Sequence, residues 1–209
     1  MTKRIILSDV DGTILRGSLV LDHACSLHER GLVDLGEHPA KYQADQKDEA
    51  NIVALAEAYR NSLQGMMIRE LAVPRFIRSV IADDKNFYST IKHIGDFAQA
   101  GDEVYLISGS PSYLLGQFAN SFGFNYAGSL YKRTRQGQFT GECVGMFNSK
   151  AKRKFVAGLD LSSYDEVVAF GDTQSDLALF EVADRRVLVD PTDATLTALD
   201  GHVDEVIYS

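Results

Sequence analysis

Four aliphatic runs, at residues 5–7, 104–107, 167–170 and 187–189, lack the polar–apolar alternation of a half-exposed strand. Runs of this kind are buried on both faces, as parallel strands are when helices cover a sheet from either side. The intervening spans carry a helical period. Ile91, Ile94, Phe97 and Ala98 form a stripe that stops at Gly101, and Leu114, Leu115, Phe118 and Phe122 form one that stops at Gly123. Phe155, Val156 and Leu159, then Leu177, Leu179 and Phe180, repeat the pattern. Strand–helix alternation predicts an α/β fold built on a doubly wound parallel sheet. Residues 16–89 break the rhythm, with helical stripes such as Ile52, Leu55, Ala56 and Tyr59 and no parallel strand. They read as a small α-helical domain inserted after the first strand, which leaves residues 1–15 and 90–209 as the α/β core. Residues 136–141 read as a turn or hairpin on the rim.

The length of 209 residues, 45% of them apolar, supports one core of good size plus a small insertion. A net charge of −8 argues against a nucleic-acid partner, and the short basic cluster at 150–154 is too small to reverse it. Cys25 and Cys143 are far apart, with no metal-ligand spacing around them, and suit a reducing compartment. No stretch approaches the roughly 18 apolar residues of a membrane span, and only about three apolar residues precede Asp9, too few for a signal peptide. The expectation is a cytoplasmic protein that engages neither membrane nor nucleic acid.

The ends of the apolar runs hold the chemistry. The first run feeds into Asp9-Val10-Asp11-Gly12-Thr13. Two carboxylates at spacing two share one face of an extended chain and repel unless a cation joins them. Mg²⁺ suits such a site, because it takes few carboxylates and completes its shell with water and phosphate oxygens. An Asp-Gly pair also marks ordinary turns. Four fixed residues in D-x-D-G-T arise by chance in roughly one such chain per thousand.

The second run ends in Ser108-Gly109-Ser110-Pro111, where hydroxyls and a glycine amide can cradle phosphoryl oxygens or simply cap a helix. The third ends in Gly171-Asp172-Thr173-Gln174-Ser175-Asp176. With a helix starting near Thr173, Asp172 can face the first acidic pair and Asp176 can brace it. A helix-borne lysine ahead of the Phe155–Val156–Leu159 stripe can neutralise an attacking aspartate. Lys152 stands three, four and seven residues before that stripe, and Lys150 is its competitor.

In this order, the four pieces resemble the haloacid dehalogenase superfamily, and within it the phosphoserine-phosphatase-like branch with its helical cap. The resemblance implies that Asp9 is the nucleophile, Asp11 the general acid and base, and Lys152 or Lys150 the catalytic lysine. It implies a Mg²⁺ site at Asp9, Asp11 (through its backbone carbonyl) and Asp172. Val10, Thr13, Ser108, Gly109 and Ser110 would then bind the phosphoryl group, with Ser175 and Asp176 supporting from behind. The implied activity is Mg²⁺-dependent hydrolysis of a small phosphorylated metabolite through an aspartyl-phosphate. Transfer to an acceptor other than water, a silent phosphate-binding or Mg²⁺-binding regulatory module, and a phospho-accepting signalling domain are the alternatives. Phosphoserine phosphatases carry a glutamate nine residues after the nucleophile for the substrate amine, and this chain has Ser18 there. Arg16, Arg69 and Arg75 are candidate anion contacts.

Overall fold

The computed structural model describes residues 2–46, 48–145, 148–199 and 201–208. In chain order the elements are β1 (Arg4–Ser8), α1 (Leu19–Glu29), α2 (His38–Ala44), α3 (Glu49–Ser62), α4 (Val73–Ile81) and α5 (Thr90–Gln99). There follow β2 (Glu103–Pro111), α6 (Ser112–Asn120), β3 (Asn125–Arg133), β4 (Phe139–Val144), α7 (Ser149–Val156) and β5 (Glu166–Gly171). The chain closes with α8 (Leu177–Phe180), β6 (Arg185–Val189), α9 (Asp193–Ala198) and β7 (Glu205–Ile207).

The seven strands form one sheet in the order β4-β3-β2-β1-β5-β6-β7. Every pairing is parallel except β3 with β4. All four aliphatic runs are strands of its centre, and β1, the first of them, lies between β2 and β5. The period of two sorts their side chains. Ile5, Leu7, Val167 and Ala169 pack with Val156, Leu179 and Phe180 on one face, while Ile6, Val168 and Phe170 pack on the other. β3, β4 and β7 were not legible as strands. β4 and β7 are the edge strands and β3 lies next to one; β3 buries only alternate residues, β4 only Phe139 and β7 none, so no unbroken apolar run forms. The predicted hairpin at 136–141 falls on the turn between β3 and β4 and on the first residues of β4.

The chain leaves the sheet after β1 and returns through α5. The two crossings pair with each other: Arg16 N–H donates to the Asn86 carbonyl at 2.9 Å, and Tyr88 N–H donates to that of Ile14 at 2.9 Å. The helices between them are not separately packed. Leu27, Leu55, Leu63 and Leu71 share one hydrophobic cluster with Leu114, Phe118 and Phe139 of the sheet side. The backbones of Gly65 and Met66 also exchange hydrogen bonds with Phe139, both at 2.9 Å.

A buried polar chain joins the same parts. His23 Nε2 meets the Leu71 carbonyl at 2.8 Å, so Nε2 carries the hydrogen and Nδ1 accepts from Tyr59 Oη, also at 2.8 Å. Tyr59 Oη in turn accepts from Tyr113 Oη at 2.7 Å. Burial lowers the His23 pKa to about 4, which keeps the ring neutral, as this chain requires. Tyr59→Phe strands the His23 acceptor and the Tyr113 donor, so unfolding in urea at pH 7 is expected to show a loss of about 1–3 kcal/mol.

Candidate active site

The site lies at the carboxyl ends of β1, β2 and β5, where parallel α/β sheets bind ligands. β1 ends at Ser8, and a tight turn follows in which the Val10 carbonyl accepts from the N–H groups of Ile14 and Leu15 at 2.9 Å. Leu15 returns its carbonyl to Gly12 N–H at 2.8 Å. The Asp11 carbonyl takes no part in these bonds. Gly12 sits at φ +87°, and a Cβ there would come within 2.1 Å of Asp172 Oδ2. Gly12→Ala therefore forces Asp172 away and strains the backbone. It is expected to cost about 1–3 kcal/mol in thermal unfolding.

The turn separates the two aspartates that the extended spacing had placed on one face. Asp9 is 6% exposed and meets Lys152 Nζ at 2.5 Å. Lys152 is 2% exposed and also meets Asp176 at 2.6 Å. Lys150, the other candidate, is exposed and does not reach the carboxylates. The Asp11 carboxylate faces elsewhere. It accepts from Leu19 N–H at 2.6 Å and from the Ser108 and Ser110 hydroxyls, each at 2.8 Å. Ser108 and Ser110 thus hold Asp11 in this state. Gly109 presents its carbonyl to Ser129 Oγ at 2.5 Å. Thr13 Oγ1 lies 3.3 Å from Asp172 Oδ1 and steadies that carboxylate. The Val10 side chain is fully buried in the core, so only its backbone is available to a ligand.

Asp176 is more central than a brace. Its Oδ2 accepts from the N–H groups of Asp172 and Thr173 at 3.1 Å, while its Oδ1 takes Lys152. Ser175 adds a 2.9 Å contact to Thr173 Oγ1. Carboxylate oxygens of Asp9, Asp172 and Asp176 lie within 4.8 Å of one another. Asp9 and Asp172, the two side chains of the expected metal set, are both in this cluster, and Asp176 is its third carboxylate. Leu19 and Ser129 went unread in the sequence because their contributions are a backbone N–H and a long-range bond to a carbonyl. Arg69 and Arg75 are exposed.

Three carboxylates share one ammonium here. Burial, and then the neighbouring acids, raise Asp9 to about 8, against the opposing pull of Lys152. Burial and Asp9 likewise raise Asp172 well above the carboxylate range. Burial works against the Lys152 charge, but Asp176 and Asp9 outweigh it and hold its pKa above the ordinary lysine value. Burial raises Asp11 too, against the donors that favour its ionised form. An all-oxygen donor set with surplus negative charge fits a hard divalent cation of the Mg²⁺ type.

Comparison with known proteins shows the family and the fold. The sequence profile of haloacid dehalogenase-like hydrolases matches residues 6–181. The phosphoserine phosphatase SerB1 of Mycobacterium tuberculosis (strain ATCC 25618 / H37Rv) is 26% identical over 203 residues, which cover 91% of this chain and 66% of that protein. A Bordetella pertussis Tohama I protein of unknown function superposes with a TM-score of 0.76 at 20% identity, over 99% of both chains. An apo phosphoserine phosphatase superposes with a TM-score of 0.65 at 17% identity, over 98% of this chain and 93% of its own. The chain belongs to the haloacid dehalogenase-like hydrolase family.

Proposed function

We propose that this chain is a Mg²⁺-dependent phosphomonoester hydrolase that acts on a small phosphorylated metabolite through a phosphoaspartate at Asp9. One observation carries the reading. Two carboxylates from a single turn occupy different environments, Asp9 against a buried lysine and Asp11 among hydroxyl and amide donors. Splitting a pair of acids in this way assigns them separate roles in one reaction.

Asp9 Oδ attacks phosphorus, and Lys152 offsets the charge that gathers between the two. The Ser108 and Ser110 hydroxyls and the Gly109 N–H bind the phosphoryl oxygens. As those hydroxyls turn from Asp11 to the phosphate, Asp11 loses two donors and its affinity for a proton rises. Substrate binding thereby arms the group that protonates the departing alcohol oxygen. In the second step Asp11 takes a proton from water, which attacks the phosphoaspartate and restores Asp9. Mg²⁺, held by Asp9, Asp172 and the Asp11 carbonyl with Asp176 beside them, would draw charge from the phosphoryl oxygens. Residues 16–89 act as the cap that covers the leaving group and excludes water.

The test is phosphate release from a panel of small phosphomonoesters, with Mg²⁺ and with chelator, followed by borohydride trapping and mass spectrometry of the peptide bearing Asp9. Metal-dependent release with label at Asp9 is the expected result. Phosphate appearing on an added alcohol in preference to water would make the chain a phosphotransferase. Absence of turnover across the panel by folded protein that binds Mg²⁺ would point to a binding module.

A further inference from the structure

β2 and β3 fall out of step at the reacting centre. From Ile107 to Pro111 β2 advances four residues, while its partner β3 advances two, from Ala127 to Ser129. Ser108, Gly109 and Ser110 therefore bulge out of the ladder, where no regular strand pairing fixes their peptides. Two of them carry hydroxyls that hold Asp11. Ser108 and Ser110 are nonetheless buried, at 0% and 1% exposure, so the bulge is packed against its surroundings.

The residues of β3 opposite the bulge take over its support. Ser129 Oγ donates to the Gly109 carbonyl at 2.5 Å, and the Ser129 carbonyl accepts from Ser112 Oγ at 3.1 Å. Beside it, a Cβ on Gly128 would lie 2.7 Å from the Ser110 carbonyl oxygen and 3.2 Å from Ser112 Cα. The bare backbone of a glycine lets the loop lie this close. On the far edge of the same peptide, Ser110 N–H donates to Ser108 Oγ at 2.9 Å. The plane between Gly109 and Ser110 is thus pinned at both edges, its carbonyl by Ser129 and its N–H by Ser108. With a lone pair taken by that N–H, Ser108 points its own hydrogen at Asp11, 2.8 Å away.

Glycine at 109 makes this peptide easy to turn over. Turned over, its carbonyl would face Ser108 Oγ and claim the hydroxyl hydrogen that Asp11, or a phosphoryl oxygen, must receive. Ser129, fully buried, opposes that rotation, because turning would strip a buried carbonyl of its donor.

We propose that Gly128 and Ser129 are positioning residues for phosphoryl binding. Ser129 holds the 109–110 peptide in the orientation that aims the Ser108 and Ser110 hydroxyls at the phosphate, and Gly128 leaves room for the loop to lie there. Both act through the loop and not on the substrate. The proposal rests on the phosphomonoesterase reading and adds to it the support on which the phosphoryl grip depends. Donors already aimed need no reorganisation when charge gathers on the phosphoryl oxygens.

The test compares Ser129→Ala, Ser129→Thr, Gly128→Ala and Ser112→Ala with wild type. Each is measured in p-nitrophenyl phosphate turnover with Mg²⁺, in inhibition by orthovanadate and in urea unfolding. Ser129→Ala is expected to lower kcat/KM and to weaken orthovanadate binding, each by about 10–10²-fold, the scale of misplacing a binding group by roughly an ångström. Ser129→Thr keeps the hydroxyl and is expected to recover most of both losses. Ser112→Ala removes a bond to the same strand but none to the 109–110 peptide, so it should leave both close to wild type. Gly128→Ala pushes the loop from β3, is expected to weaken orthovanadate in the same direction, and carries the test should Ser129→Ala not fold. Wild-type values in Ser129→Ala, or Ser129→Thr as impaired as Ser129→Ala, would overturn the proposal. Losses shared by Ser112→Ala, or following stability in urea alone, would reduce Ser129 to a structural role and overturn it too. Wild type that does not hydrolyse p-nitrophenyl phosphate would instead overturn the reading on which the proposal rests.

Discussion

Asp9→Asn is expected to abolish turnover and, in metal-free buffer near pH 8, to raise the melting temperature. The amide is a poor nucleophile toward phosphorus, and loss of a covalent nucleophile costs on the order of 10⁴-fold or more in kcat. The stability gain follows from the direction of the pKa shift. Burial raises Asp9 from 3.8 to about 8, so the folded state prefers it protonated. A raised pKa contributes stability that is fully present below the unfolded value and is lost as pH climbs from about 4 to about 8. Asp172, raised by burial and by Asp9, acts in the same direction. Wild-type protein without metal should therefore weaken as pH rises through that window, and Asp9→Asn should weaken less. On the proposed function Mg²⁺ competes with those protons, so its stabilisation of the wild type is expected to be larger at pH 8 than at pH 6 and small in Asp9→Asn. Thermal melts at the two pH values, with Mg²⁺ and with chelator, decide the matter. A wild type whose metal-free stability rises from pH 6 to pH 8 would contradict this account of the cluster.

Lys152→Met should be the most damaging single change to the resting fold. The side chain fits the same channel but leaves Asp9 and Asp176 without the ammonium at 2.5 and 2.6 Å. Removing one partner of a buried ion pair costs about 3–5 kcal/mol. The loss in kcat should be about 10²–10³-fold, the scale of removing one preorganised charge from a reacting centre. Two controls give the result its meaning. Lys150→Met, two residues earlier and exposed, should change stability by no more than about 0.5 kcal/mol. Lowering the pH should recover part of the Lys152→Met loss, because protonated carboxylates no longer repel. Urea unfolding at pH 5.5 and 8 for both variants reads all of this at once. Equal damage from the two lysine variants would place the cation elsewhere.

The sheet centre and its reacting ends were legible in the chain because both are local signals. An unbroken apolar run that stops at Asp9, Ser108 or Asp172 records in sequence the passage from an apolar strand to its polar, ligand-facing end. The strands toward the two edges carry no such record. β3, β4 and β7 are strands only because a neighbour pairs with them, and half their residues face solvent.

The side-chain assignments divide along the same line. The string from Asp9 to Thr13 was enough to announce an acidic turn at a strand end. Spacing alone placed Asp9 and Asp11 together on one face, whereas the turn after Ser8 sends one to Lys152 and the other to Leu19, Ser108 and Ser110. Lys150 and Lys152 lie two residues apart, roughly opposite each other around a helix. Only the packing of α7, with Val156 buried one turn beyond Lys152, turns that lysine inward. The meeting of Asp176 with Asp9 and Lys152 likewise arises from elements distant in the chain. Residue type and short-range spacing carry the chemistry a strand end can perform; which groups meet is decided by how the sheet and its helices close around them.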